Sequence, residues 1–73
     1  MSIDLQNKTV VLTGSISGLT NHQAKSVLED QGATVRWNLS GQTDLLISGW
    51  RPGPRITSEA KERGIKIVKW GQL

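Results

Sequence analysis

Lys8-Thr9-Val10-Val11-Leu12-Thr13-Gly14 is the stretch on which the reading of the fold turns. Val10, Val11 and Leu12 form an unbroken apolar run rich in β-branched residues, which suits a strand covered on both faces, as in a parallel sheet. Thr13-Gly14 then places a hydroxyl and an unhindered backbone N–H where the strand stops. Thr43-Asp44-Leu45-Leu46-Ile47, ending in Ser48-Gly49, repeats the design, and Ile65-Lys66-Ile67-Val68 is a further strand of the same kind.

Between these strands lie two helices. Thr20 is a good N-cap, Gln23 three residues on completes a capping box, and Leu19 and Ala24 stand where a hydrophobic staple puts them. Ala24, Val27 and Leu28 make a helical apolar stripe, and Gly32 supplies the stop. Val35, Trp37 and Leu39 alternate with Thr34, Arg36 and Asn38, as in a strand with one wet face. Ser40-Gly41-Gln42 reads as a turn. After Gly49-Trp50-Arg51-Pro52-Gly53, Pro54 suits the first turn of a second helix, because its missing N–H has no partner to lose there. Ile56 and Ala60 face inward from that helix, and Gly64 ends it. Residues 1–6 are expected to be a lead-in, with Ile3 and Leu5 covering an edge of the core, and residues 7–73 the single domain.

The order β-α-β-β-α-β argues for an α/β sheet. The short link from Val35–Asn38 to Thr43–Ile47 by itself favours an antiparallel hairpin, hence a mixed sheet. The core is expected in Val10, Val11, Leu12, Leu45, Leu46, Ile47, Ile65, Ile67 and Val68, with Ala24, Val27, Leu28, Ile56 and Ala60 packed on them.

A chain of 73 residues is one small domain. It buries only about 60% of its unfolded surface. With no cysteine, it has neither disulfides nor cysteine-ligated metal centres. No apolar run is long enough for a membrane span, and Met1-Ser2-Ile3-Asp4 lacks the pattern of a signal peptide. Nine Lys and Arg against six Asp and Glu give +3, which tolerates an anionic partner without requiring one.

Taken together, the sequence resembles a BRCT domain, and specifically the version at the C-terminus of bacterial NAD-dependent DNA ligases. The resemblance is carried by Lys8 to Gly14, Ala24-Lys25, Leu28-Glu29, Gln31 to Val35, Ser40, Thr43 to Ile47, Gly49, Gly53, Arg55, Ala60 and Gly64 to Val68. It implies a four-stranded parallel sheet in the order 2-1-3-4, flanked by helices on both faces, and so replaces the hairpin with a crossover past the first strand. The last helix is cut short here: Leu73 stands where the family has an aromatic residue, with Trp70 before it.

In a sheet of that order, ligands bind beyond the carboxyl ends of the strands where the order reverses, between the first and third strands. In the family, a Ser/Thr-Gly pair after the first strand and a Lys or Arg near the start of the second helix bind phosphoserine or a DNA 5′ phosphate. Thr13, Gly14 and Arg55 match those positions, with Arg51 and Lys25 as flanking contacts. The plainer alternative is that Thr13-Gly14 only makes the turn and Arg55 is solvated. Trp50 beside Arg51 suits stacking on a base or a partner side chain, or folding back over the rim. Trp37 and Trp70 read as packing residues and His22 as a surface residue. Gly14-Ser15-Ile16-Ser17-Gly18 lacks the Gly-Lys-Ser/Thr of a P-loop. Lys61, Arg63, Lys66 and Lys69, interleaved with Glu59 and Glu62, read as a solvated face.

The expected function is a non-catalytic module of DNA replication or repair that binds DNA at phosphorylated ends or nicks. The alternative is a protein–protein adaptor, phosphopeptide-dependent or not. An enzyme is disfavoured, since no nucleophile–base pair, carboxylate pair or metal cluster is visible. No catalytic residue, metal or cofactor is expected. The partners are DNA or a phosphorylated protein and the rest of a larger DNA-processing protein, in a cytoplasm of bacterial or phage type.

Overall fold

The computed structural model describes residues 4–73, so the expectation for Ile3 lies outside the described residues. The apolar run becomes β1 (Thr9–Thr13), with Val10, Val11 and Leu12 all buried. Then follow α1 (Asn21–Asp30), β2 (Thr34–Arg36), β3 (Leu45–Ser48), α2 (Pro54–Glu62), β4 (Lys66–Lys69) and a 3-10 turn over Trp70–Gln72. The sheet order is β2-β1-β3-β4 and every pairing is parallel. This is the sheet that the resemblance implies.

The hairpin suggested by the short link is overturned. β2 has only three residues. Returning to its starting level takes about 10 Å, and a link the length of residues 37–44 spans up to roughly 26 Å when extended. A short strand thus removes the need for a helical crossover. The link passes the start of β1 and is fastened there: Asp44 N–H donates to Thr9 O at 2.7 Å, and Thr9 N–H donates to Asp44 Oδ2 at 2.8 Å. The expected turn is present, with Thr43 N–H donating to Ser40 O and Gln42 N–H to Ser40 Oγ.

Alternation along β1 and β3 divides the core. Val10, Leu12, Leu45 and Ile47 face α1 and join Ala24, Leu28, Val35 and Val68, with Trp70 and Leu73 packed on them. Val11 and Leu46 face α2 and meet Ala60, with Leu39, Ile56, Ile65 and Ile67 around them. Leu5 is 1% exposed and belongs to the α1 side.

The caps form as the sequence indicates. Gln23 N–H donates to Thr20 Oγ1 at 3.1 Å, and Thr20 N–H donates to Gln23 Oε1 at 2.8 Å. At the other end of α1, Gly32 N–H donates to Glu29 O and Ala33 N–H to Leu28 O, which is a Schellman closure. α2 closes identically through Gly64 N–H to Lys61 O and Ile65 N–H to Ala60 O.

Three core expectations are corrected, and so is the extent of β2. Val27 is 38% exposed, because the sheet meets α1 along Ala24 and Leu28 and leaves the flank of the stripe in water. Ile65 and Ile67 are only half-buried: the first precedes an edge strand and the second lies on one, both on the thinner α2 side. β2 also ends at Arg36, so Val35, Trp37 and Leu39 do not share a face. Val35 packs on the α1 side, Leu39 on the α2 side, and Trp37 is 42% exposed.

Leu46 is fully buried at the centre of the sheet. Leu46→Ala is expected to cost about 2–5 kcal/mol, and Thr20→Ala about 0.5–2 kcal/mol through loss of the cap. Urea denaturation measures both; an unchanged midpoint for Thr20→Ala would show that the cap contributes nothing.

Candidate functional site

The carboxyl ends of β1 and β3 lie side by side, with Thr13 opposite Ser48. Gly49 N–H donates to Thr13 O at 2.8 Å. Two residues beyond Thr13 and Ser48 the two chains meet again as an antiparallel bridge. Ser15 N–H donates to Trp50 O at 2.9 Å, and Trp50 N–H donates to Ser15 O at 2.6 Å. Two parallel strands can be joined this way only if both chains turn within one residue. Gly14 turns with φ +85°, and a Cβ there would lie 2.8 Å from Trp50 O. A Cβ on Gly49 would overlap Ser15 O and lie 2.7 Å from Ile16 Cδ1. Both glycines are therefore required by the crossing itself, before any ligand is considered.

Thr13 ties this crossing to α2. Its Oγ1 accepts from Gly53 N–H at 3.1 Å, and Gly53 is the residue on which α2 starts. Thr57 Oγ1 donates back to Gly53 O at 2.8 Å. The Thr13 hydroxyl keeps its proton to give. The Gly14, Arg55 and Ile56 N–H groups have no acceptor among the described residues, and Pro54 has no N–H. The corner thus presents one hydroxyl and several amide donors beside the positive end of a helix dipole, an arrangement suited to an anion.

The expected residues are not all gathered there. Thr13, Gly14 and the start of α2 come together. Arg55, in the first turn of α2, is exposed and lines a depression of about 410 Å³ with Leu39, Ile56 and Glu59; no hydrogen bond joins its side chain to Thr13. Glu59 is engaged by Arg63 at 3.0 Å, whereas the Arg55 guanidinium is in no ion pair among the described residues. Arg51, with φ +53°, holds its guanidinium 5.9 Å from the centre of the Trp50 ring. Lys25 belongs elsewhere, in a depression along the β2 edge with Thr9, Arg36 and Trp37. Thr9 and Thr13 are at opposite ends of β1, about 13 Å apart.

Ser48 differs from the expected design. Its hydroxyl turns inward and donates to Val68 O at 3.4 Å, so it faces the neighbouring strand and not a ligand. Trp50 does not fold back over the rim; it is 71% exposed. Sequence reasoning missed the Gly53 N–H as the partner of Thr13, and it missed Lys69 and Trp70 beside Trp50. A backbone donor carries no sequence signal, and β4 reaches this end of the sheet only through its register with β3.

A family model described as "BRCA1 C Terminus (BRCT) domain" matches residues 2–73. Curated relatives include a protein named DNA ligase from Phytoplasma australiense, 43% identical over 67 residues, which are 92% of this chain and 10% of the relative. A DNA ligase from Natronomonas pharaonis is 40% identical over 64 residues, 88% of this chain and 9% of the relative. One from Prochlorococcus marinus strain NATL1A is 38% identical over 66 residues, 90% of this chain and 9% of the relative. The chain spans about a tenth of the length of the curated relatives that it matches.

The close crossing predicts unequal glycines. Gly49→Ala is expected to destabilise the domain by about 1–3 kcal/mol through overpacking. Gly41→Ala, with open space around the new Cβ, should stay within about 0.5 kcal/mol of the parent. Thermal unfolding compares the two, and equal melting temperatures would show that the crossing is looser than described.

Proposed function

The chain belongs to the BRCT domain family, and from that premise we propose that it is a non-catalytic binding module of DNA replication or repair, engaging DNA at a phosphorylated end or nick. One observation supports the reading: the Thr13 hydroxyl lies against the start of α2, where the Arg55 and Ile56 N–H groups have no acceptor and the Arg55 guanidinium no ion pair among the described residues. The names of the relatives supply the class of partner, and the short stretch that they share with this chain suits a module working within a larger DNA-joining protein. A phosphate at the corner would receive the Gly14 N–H and the Thr13 O–H, while Arg55 supplies charge from the helix side. Charge-assisted bonds of this kind are about twice as strong as neutral ones.

The phosphate reading is tested by charge reversal at two places. Arg55 is near the carboxyl end of the sheet. Lys66 begins β4, opposite Leu45 at the amino end, and is exposed like Arg55. Arg55→Glu is expected to weaken binding of a 5′-phosphorylated nicked duplex at least about tenfold and to lower the salt slope by about 1. Arg55→Lys should lose less, keeping charge but not the planar fork. Lys66→Glu changes net charge equally and should have a small effect. Equal losses for Arg55→Glu and Lys66→Glu, or amide resonances of Gly14 and Arg55 that ignore the phosphate, would refute the site. Salt-insensitive binding of a protein partner would favour the adaptor instead.

A further inference from the structure

Trp50 is the most exposed large apolar side chain among the described residues, at 71%. An indole left in water is an unsatisfied contact surface. Its backbone, by contrast, is held at both polar groups by the paired bonds with Ser15. The side chain therefore projects from a fixed point, and the backbone beneath it has little freedom left to lose on binding. The next residue, Arg51, has φ +53°, a conformation that L residues rarely adopt and that persists where the surroundings over-determine it. It places the guanidinium over the indole at 5.9 Å.

Beside Trp50, at the carboxyl ends of β3 and β4, is a depression of about 430 Å³ lined by Ile16, Gly49, Trp50, Pro52, Lys69 and Trp70, among others. Its lining is largely apolar and includes two tryptophans. Lys69 is the charged residue in it, and no acidic residue lines it among the described residues. Lys69 is level with Ser48, and Ser48 with Thr13, so the depression opens at the same end of the sheet as the anion corner.

We propose that Trp50 and this depression receive one unpaired nucleobase, stacked on the indole, with Arg51 and Lys69 meeting the phosphates on either side of it. This rests on the reading of the chain as a DNA-binding module. A flat aromatic ring flanked by negative charges is what an exposed indole flanked by two cations complements, and every base offers a π-face, so the site is indifferent to sequence. An apolar peptide side chain would fill the depression but leave both cations without a counterpart.

Four duplexes test the proposal: a 5′-phosphorylated nick with all bases paired, the same nick with one unpaired nucleotide, that nucleotide made abasic, and the unpaired nucleotide at a nick without the 5′ phosphate. The Trp50 Nε1–H resonance, assigned through Trp50→Phe, reports the contact. The unpaired base is expected to shift it and the Lys69 amide, and to bind at least about fivefold more tightly than the abasic version. Trp50→Ala should abolish that difference, whereas Trp37→Ala should retain it. Because Trp50 is exposed, its removal should leave the amide spectrum otherwise folded. Equal affinity for the base and the abasic residue, or a Trp50 resonance that moves only with a peptide, would overturn the proposal. If the paired nick still binds through Gly14 and Arg55 while Trp50 is silent, the stacking site is wrong and the phosphate reading survives. If the unpaired base shifts Trp50 whether or not the 5′ phosphate is present, the phosphate reading fails and the stacking site stands.

Discussion

Two backbones leave the sheet side by side and cross within contact distance, and the carboxyl end of the sheet is organised by that crossing. Parallel neighbours normally diverge beyond the last ladder bond. Here Ser15 and Trp50 pair again immediately, which Gly14 and Gly49 permit by having no side chain. The loop after β3 is thereby pinned at its root. Its far end is pinned by the Gly53 N–H on Thr13, so the segment between them, Trp50 to Pro52, is short and held at both ends. An exposed tryptophan, a left-handed arginine and the start of α2 all take their positions from these few bonds.

The same economy appears at the opposite end of the sheet. A three-residue β2 lets the chain return past β1 without a helix, and Asp44 holds the return by bonding both polar groups of Thr9 through its own backbone and carboxylate. The two ends of β1 thus have different work: Thr9 secures topology, and Thr13 secures the start of α2. The core between them is uneven. The α1 side collects Leu5, Ile16, Trp70 and Leu73 around its strands, whereas the α2 side relies on Val11, Leu46 and Ala60 with half-buried neighbours. Most of the apolar burial lies on the side of α1, leaving α2 thinly supported behind its amino end.

Much of this was legible from residue order alone. The three apolar runs, the Thr20–Gln23 box and the two glycine stops are local signals, decided by backbone conformation and burial within a few residues. The sheet order was not local, and the spacing between β2 and β3 pointed to a hairpin; only the resemblance to BRCT domains corrected it. Exposure was the least legible property. Val27 and Trp37 sit at positions where their local pattern says inside, and β2 is too short and α1 too narrowly seated to cover them.

By itself, the sequence determined that the chain is a small α/β domain without cysteine, with Thr13, Gly14 and Arg55 placed along it in the order of its family. Tertiary structure alone decided what those residues touch. Thr13 meets Gly53 across forty positions of chain, Gly14 packs on the carbonyl of Trp50, and Lys69 reaches the same end through the register of β4 on β3. The physical reason is that hydrogen-bond partners and close approaches between distant segments are set by sheet order and register. Those follow from how the whole chain fills its two core layers, and no local residue pattern records them.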